Sequence, residues 1–283
     1  MDVSLLGTGL MGYPMVETLL EANMNVTAYN RTRKKASPLK KKGADIAESP
    51  SEAVQQGEVN ILVLTDAAAI EAVLFDDKTI DFMGKTVIQM GTISPEQSEV
   101  FMKKIKSAGG DYFEAPVLGN KHHARNGELD VMVGGTDEQF QRWNQLLKIF
   151  GTLRHVGPVG TAAALKLALN QLIASLSASF GLSLKLVQKR GVDVDMFMNI
   201  LRDSALYAPQ FDKKLDGWLN SDYSDPNFPT EHLLKDVELM LQASRAERLE
   251  TSALEGVKLI LNNAIERGYD GQDYSSLFEG LEK

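Results

Sequence analysis

The sequence predicts an α/β domain followed by an all-helical one. Three observations carry that expectation. Short apolar runs alternate with helical stretches through the first half, a glycine-rich turn closes the first run and opens a helix, and the strand signal stops after about Gly157. Short apolar strands spaced by helices indicate βαβ units and a parallel sheet buried on both faces. A length of 283 residues also suits two domains, at roughly 150 residues each. The expected division is 1–158 for the α/β domain and 159–283 for the helical one.

The elements follow in order. Val3-Ser4-Leu5-Leu6 is the first strand, and Met15, Leu19 and Leu20 mark the helix after it. Val26–Tyr29, Ile61–Leu64 and Val87–Met90 are the next strands, each preceded by a helical stretch. Tyr112–Ala115 and Leu129–Val133 extend the sheet, and Thr136-Asp137-Glu138 opens a helix with acids in its first turn. From Thr161 to Arg190 the spacing is helical, ending at Gly191, a plausible C-cap. Further helices are expected around Asp195–Asp203, Glu231–Ala246 and Thr251–Arg267, with a two-proline loop from Tyr223 to Pro229.

Composition removes several function classes. The chain has no cysteine, which excludes disulfide frameworks, thiolate nucleophiles, Cys-ligated zinc and iron–sulfur clusters. Lys+Arg 30 against Asp+Glu 38 gives a net charge of -8, which argues against wholesale nucleic-acid binding. The N-terminal MDVSLLGTGLMG has no cationic stretch before its apolar run and reads as a first strand, not a signal peptide. The most apolar long window, Leu165 to Val187, is interrupted by Lys166, Asn170, Gln171 and Lys185, unlike the roughly 20 apolar residues of a spanning helix. These features lead us to expect a cytoplasmic protein that binds no membrane. The four histidines, His122, His123, His155 and His232, offer no metal-ligand spacing.

The sharpest local signal is Gly7-Thr8-Gly9-Leu10-Met11-Gly12, directly after the first strand. Gly7 allows the tight turn, Gly9 lets the backbone approach a pyrophosphate, and Gly12 permits close packing of helix on strand. The helix N-terminus adds free N–H groups and a favourable dipole for phosphate. In this strand–turn–helix context the motif points to a dinucleotide, the alternative being a turn that serves packing alone. The second strand ends in Asn30-Arg31-Thr32, followed by Arg33, Lys34 and Lys35. An Asp or Glu there would bind ribose hydroxyls and repel a 2′-phosphate, whereas Arg31 can grip that phosphate in forked geometry and Thr32 can donate a hydroxyl. The expectation is NADP(H) over NAD(H). A solvated basic helix start is the competing reading, although cations are unfavourable at a helix N-terminus without an anion.

The second signal begins the helical half. Lys166 and Asn170 are four residues apart in the run Gly160 to Asn170, so they share a helical face. A lysine among Ala and Leu either snorkels to water or is held at a polar cleft. The small residues Gly160 to Ala164 would let a ligand approach, and a partly desolvated lysine suits proton transfer near neutral pH.

Taken together, these motifs resemble the β-hydroxyacid dehydrogenases over essentially the whole chain. The cofactor signature is Leu6 to Met15, and the substrate loop is Glu114-Ala115-Pro116-Val117-Leu118-Gly119-Asn120. The catalytic segment holds Gly160, Lys166 and Asn170, and the late cofactor motif is Lys235-Asp236. Asn30-Arg31-Thr32, and Phe228-Pro229 shortly before Lys235-Asp236, are similar to the glyoxylate/succinic semialdehyde reductase branch.

The resemblance implies a Rossmann domain joined by a long inter-domain helix to an all-helical domain, with the active site between them. It implies Lys166 as the catalytic general acid supported by Asn170. Gly7, Gly9, Leu10, Met11, Gly12, Asn30, Arg31, Thr32, Leu64, Thr92 and Lys235 would contact the cofactor. Leu118, Gly119, Asn120, Phe228 and Asp236 would line the substrate pocket. The implied reaction is NADPH-dependent reduction of glyoxylate or succinic semialdehyde, with no metal, in a homodimer or homotetramer formed through the helical domain. A 3-hydroxyisobutyrate or tartronate semialdehyde enzyme, or a reductase of bulkier carbonyls, is the alternative. A dinucleotide-binding protein without turnover would need neither Lys166 nor Asn170.

One position departs from the family. Leu118 stands where serine is usual, removing a hydroxyl donor for the substrate carboxylate. A lost charge-assisted hydrogen bond is worth about 1.5–3 kcal/mol, roughly tenfold to over a hundredfold in affinity. The backbone N–H groups of Gly119 and Asn120, with the Asn120 side chain, are the remaining anion donors. His122 and His123 either reach that anion or face solvent on a helix start.

Overall fold

The computed structural model describes residues 1–282 and divides into two compact units, Met1–Lys166 and Leu167–Lys283. In the first unit, strands β1 (Asp2–Leu6), β2 (Asn25–Tyr29), β3 (Asp45–Ile46), β4 (Val59–Leu62), β5 (Thr86–Gln89) and β6 (Asp111–Glu114) are all parallel. Their order is β3-β2-β1-β4-β5-β6, the doubly wound Rossmann arrangement. Helices α1 (Gly12–Glu21), α2 (Arg33–Ala36), α3 (Pro50–Gln56), α4 (Ala67–Phe75) and α5 (Pro95–Ser107) make the crossovers. β4 is buried along its whole length, as expected of a central strand covered on both faces.

Past β6 the sheet is no longer all parallel, and here the expectation needs correction. β7 (Val117–Leu118) and β6 both run antiparallel to β8 (Leu129–Gly134), while β9 (Gly151–Gly157) runs parallel to β8. Helices α6 (Lys121–Asn126) and α7 (Asp137–Leu147) lie between these strands in the chain. The Thr136 hydroxyl caps α7 by accepting the Gln139 N–H at 3.1 Å, as the sequence there predicts.

Helix α8 runs unbroken from Thr161 to Lys189. By length and apolarity it could cross a bilayer. Its face formed by Ala163, Leu167, Asn170, Ala174, Ala178 and Leu184 is nevertheless buried within the protein, the stripe spacing of a core helix. Gly191 ends it in the left-handed region, with φ +67°. The second unit continues with α9 (Val194–Arg202), α10 (Pro209–Asn220), α11 (Thr230–Ala246), α12 (Ser252–Glu266) and a terminal 3₁₀ segment, Tyr274–Leu281. Leu233, Val237, Leu241, Leu261 and Leu277 form one core there, and Phe180, Phe211, Trp218 and Phe278 a stacked aromatic one.

Candidate active site

Of the residues expected to hold a cofactor, Lys235 lies on α11 of the second unit, and the others sit after the carboxyl ends of the parallel strands, where ligands of open α/β sheets bind. Gly7 follows β1, Asn30 follows β2, Leu64 follows β4 and Thr92 follows β5. The three motif glycines have separable reasons. Gly7 has φ +108°, and a Cβ on it would lie 2.2 Å from the Val63 carbonyl oxygen. A Cβ on Gly12 would lie 1.8 Å from the Gly7 carbonyl oxygen, so turn and helix are packed backbone to backbone. A Cβ on Gly9 meets nothing within 4 Å. Protein packing therefore does not require that glycine, and the open approach suits a ligand. The N-terminus of α1 has no side-chain cap and no acid in its first turn, leaving its dipole to an anion. Leu10 is 41% exposed over this turn and Met11 is the residue preceding α1. The site fits a dinucleotide.

Asn30 does local work that its sequence position did not reveal. Its Oδ1 accepts the Thr8 N–H and its Nδ2 donates to the Thr32 carbonyl, both at 3.0 Å, tying the glycine turn to the end of β2. Arg31 and Thr32 are exposed beside it, and Arg33 pairs with Glu48. Leu64 is half-buried against Gly7, and Thr92 is half-buried ahead of α5.

In the substrate-loop segment, Leu118 is half-buried and Gly119 has φ +146°. Asn120 is the N-cap of α6: its Oδ1 accepts the N–H groups of His122 at 2.9 Å and His123 at 3.1 Å. His123 Nδ1 in turn accepts the Asn120 N–H at 3.2 Å. That backbone N–H is thus committed inside the protein. His123 is half-buried by this reciprocal cap and His122 is exposed.

On α8, Lys166 is half-buried and Asn170 is 2% exposed, one turn further on. In the second unit the Asn170 Nδ2 donates to Asp236 Oδ2 at 2.5 Å, and Lys235 Nζ lies 2.8 Å from Asp236 Oδ1. Asp236 is itself 2% exposed. A carboxylate accepts only, so it draws the amide nitrogen toward itself and turns Asn170 Oδ1 away. That oxygen is buried without a hydrogen-bond partner among the described residues. Phe228 packs against Tyr274 with ring centroids 6.0 Å apart.

The structure therefore brings together the glycine turn, Asn30 and Leu64 in the first unit, and Asn170, Lys235 and Asp236 in the second. Sequence reading missed Glu114 as a functional candidate in its own right. It ends β6, is 1% exposed, and its Oε1 accepts the N–H groups of Gly160 and Ala163, both at 2.9 Å. An acid inside the apolar stretch Tyr112-Phe113-Glu114-Ala115 was the available signal, since a buried carboxylate demands partners. Among the described residues no group of three or more His, Asp or Glu could hold a metal ion.

A doubly wound sheet with an open glycine turn over an uncapped helix is the architecture of a dinucleotide-binding unit, here followed by a helical unit. Known proteins make the class specific. Residues 2–160 match the NAD binding domain of 6-phosphogluconate dehydrogenase, and residues 160–281 match the NAD-binding domain of NADP-dependent 3-hydroxyisobutyrate dehydrogenase. The glyoxylate/succinic semialdehyde reductase 2, chloroplastic, of Arabidopsis thaliana is 30% identical over 99% of this chain and 79% of its own. The Arabidopsis thaliana reductase 1 is 30% identical over 99% of this chain and 98% of its own. The solved 3-hydroxyisobutyrate dehydrogenase of Mycobacterium tuberculosis superposes with a TM-score of 0.88 at 22% identity, covering 100% of this chain and 99% of that one. The chain belongs to the β-hydroxyacid dehydrogenase family and is an NAD(P)-dependent oxidoreductase.

Proposed function

We propose that the protein reduces a small aldehyde-acid, glyoxylate or succinic semialdehyde, to the hydroxy acid with NADPH, and that Lys166 is the general acid. The observation that carries this reading is the Lys166–Asn170 turn of α8, where a half-buried lysine precedes a buried amide whose orientation Asp236 sets. It is supported by the two 30%-identical relatives, whose names specify those two substrates.

The cofactor would be held by the turn Gly7 to Gly12, with Arg31 and Thr32 on the 2′-phosphate and Asn30, Leu64, Thr92 and Lys235 as further contacts. Its reduced nicotinamide, when bound, supplies the hydride. Lys166, as ammonium, hydrogen-bonds the carbonyl oxygen and releases a proton to it as negative charge develops there. Asn170 offers its unpartnered Oδ1 as an acceptor for an N–H of that ammonium, which orients the proton. Asp236 acts on the substrate through Asn170, and Phe228 supplies an apolar wall. Because the Asn120 N–H is committed to His123, the substrate carboxylate is left the Gly119 N–H and the Asn120 amide. Leu118 adds no donor to these. The chain would divide functionally near residue 158, as its sequence suggests. Leu172, Leu182 and Leu186 of α8 and Met196 and Ile200 of α9 are each more than half exposed. They are the face through which the helical unit would pair with another copy, and sedimentation of the Leu182→Glu, Leu186→Glu double variant as a smaller species would support that.

The test is NADPH consumption across glyoxylate, succinic semialdehyde and plain aldehydes, repeated with NADH. The reading expects the aldehyde-acids and NADPH to be preferred, and Arg31→Ala to erase the cofactor preference. Equal kcat/KM with NADH and NADPH would overturn the cofactor assignment. Leu118 favours a second reading, a longer or less polar carbonyl substrate. If Leu118→Ser sharply raises activity on glyoxylate, the native pocket is built for that other substrate.

A further inference from the structure

We propose that Glu114 is the positioning residue for the catalytic lysine: from the end of β6 its carboxylate caps the first turn of α8 and fixes where Lys166 is presented. The proposal rests on the assignment of Lys166 above.

A helix leaves its first four N–H groups without intrahelical partners, and a local Ser, Thr, Asp or Asn normally satisfies them. The residue preceding α8 is Gly160, which has no side chain to offer as a cap. The acceptor comes instead from 46 residues upstream. Glu114 Oε1 takes the N–H groups of Gly160 and Ala163, and Ser98 donates its hydroxyl to Oε2. The Ser98 oxygen is 2.9 Å from the Tyr112 hydroxyl. Serine has one proton and has given it to the carboxylate, so Tyr112 must be the donor to Ser98. The result is a directed chain from Tyr112 to Ser98 to Glu114 to the helix, with every member buried.

The fold makes room for this group specifically. A Cβ on Gly134 of β8 would lie 2.5 Å from Glu114 Oε1 and 3.0 Å from the Ala162 Cβ. Gly160 reaches the carboxylate from the left-handed region, with φ +99°. A negative group here also complements the positive end of the helix dipole. Ala163 and Lys166 are three residues apart, neighbours on one helical face about 4.5 Å along the axis. A displacement of the capped turn is therefore passed to the lysine by a rigid helical turn, and a misplacement of about 1 Å can cost on the order of a hundredfold in rate.

The experiment compares Glu114→Ala, Glu114→Gln and Lys166→Ala in reductive turnover with NADPH and whichever of glyoxylate or succinic semialdehyde reacts faster, alongside NADPH Kd. Glutamine keeps an acceptor oxygen for both amides, and its NH₂ can donate to Ser98. The expected result is kcat within about threefold of wild type for Glu114→Gln and at least about thirtyfold lower for Glu114→Ala, with NADPH Kd unchanged in both. Equal kcat for the alanine and glutamine variants overturns the proposal. So does a loss in Glu114→Ala matched by an equal loss of NADPH affinity, since that would be general damage to the unit. Should Glu114→Ala fail to fold, Ser98→Ala loosens Oε2 alone and is expected to lower kcat about threefold to tenfold at constant NADPH Kd; an unchanged kcat there overturns the proposal equally. Wild-type turnover in Lys166→Ala would instead defeat the lysine assignment itself. A dead Lys166→Ala beside a fully active Glu114→Ala defeats only the present inference.

Discussion

Glu114 in the first unit and Asp273 in the second are both withdrawn from water, 1% and 4% exposed, yet their carboxyls shift in opposite directions. Burial pushes Glu114 above its ordinary value, and the Ser98 hydroxyl and the amides of Ala163, Gly160 and Ala162 only partly offset it. Burial would raise Asp273 as well, but the Lys214 ammonium and the bonds from Ser275 outweigh it and hold the carboxyl below its ordinary range. Lys214 Nζ is 2.6 Å from Asp273 Oδ1, and the Asn227 N–H reaches Oδ2 at 3.1 Å. The difference is a full counter-charge against oriented dipoles. Asp273 is built to stay ionised and anchor the terminal 3₁₀ segment. Glu114 is held by neutral donors, which fix geometry at some electrostatic cost.

That contrast can be broken by substitution, with the largest effect expected at the ion pair. Asp273→Ala leaves Lys214, whose side chain is only 18% exposed, without its partner, and should lower unfolding free energy by about 3 kcal/mol in urea titration. A loss as small as that of a surface pair, under about 1 kcal/mol, would show that the pairing adds little. Gly134→Ala comes next. Its Cβ intrudes on Glu114 Oε1 and Ala162, so we expect about 2 kcal/mol of destabilisation together with a reduced kcat. Destabilisation with unaltered kcat would separate the packing of that site from the placement of Lys166.

The smallest effects are in pH dependence, and their signs are opposite. A raised folded-state value means Glu114 binds its proton more tightly in the folded chain. Its contribution is fully present below the ordinary glutamate value and is lost as pH rises through the folded value. Glu114→Gln should therefore flatten the decline of stability in that window. Asp273, with a lowered value, contributes above the ordinary aspartate value and loses that contribution as pH falls through its folded value. Asp273→Asn should make the acid limb shallower. Parallel changes in the two variants would refute the electrostatic distinction.

What could be read without coordinates follows from how local each signal is. The glycine turn, the apolar parallel strands and the 29-residue α8 are written in contiguous residues and appear where expected. β9 is illegible because every residue from Gly151 to Gly157 is only partly buried or exposed and the run carries Arg154 and His155. α10 was missed because Lys213, Lys214, Asp216 and Gly217 dilute the apolar signal of Phe211 and Trp218. The antiparallel β8 depends on a return of the chain that no short window encodes. At the candidate site, the placement of Lys166 and Asn170 one turn apart on α8 follows from their spacing, whereas the bonds of Asp236 and Glu114 join residues 66 and 46 positions apart. Asn120 was read as a substrate donor, and its cap on α6 emerged only with the reciprocal bond to His123.

The assignment of Lys166 as proton donor is met most directly by the turnover of Lys166→Ala with NADPH and glyoxylate, measured beside its NADPH Kd. A general acid is typically worth 10²- to 10⁴-fold, so kcat should fall by roughly a thousandfold while NADPH binds as in wild type. Turnover within about threefold of wild type would contradict it.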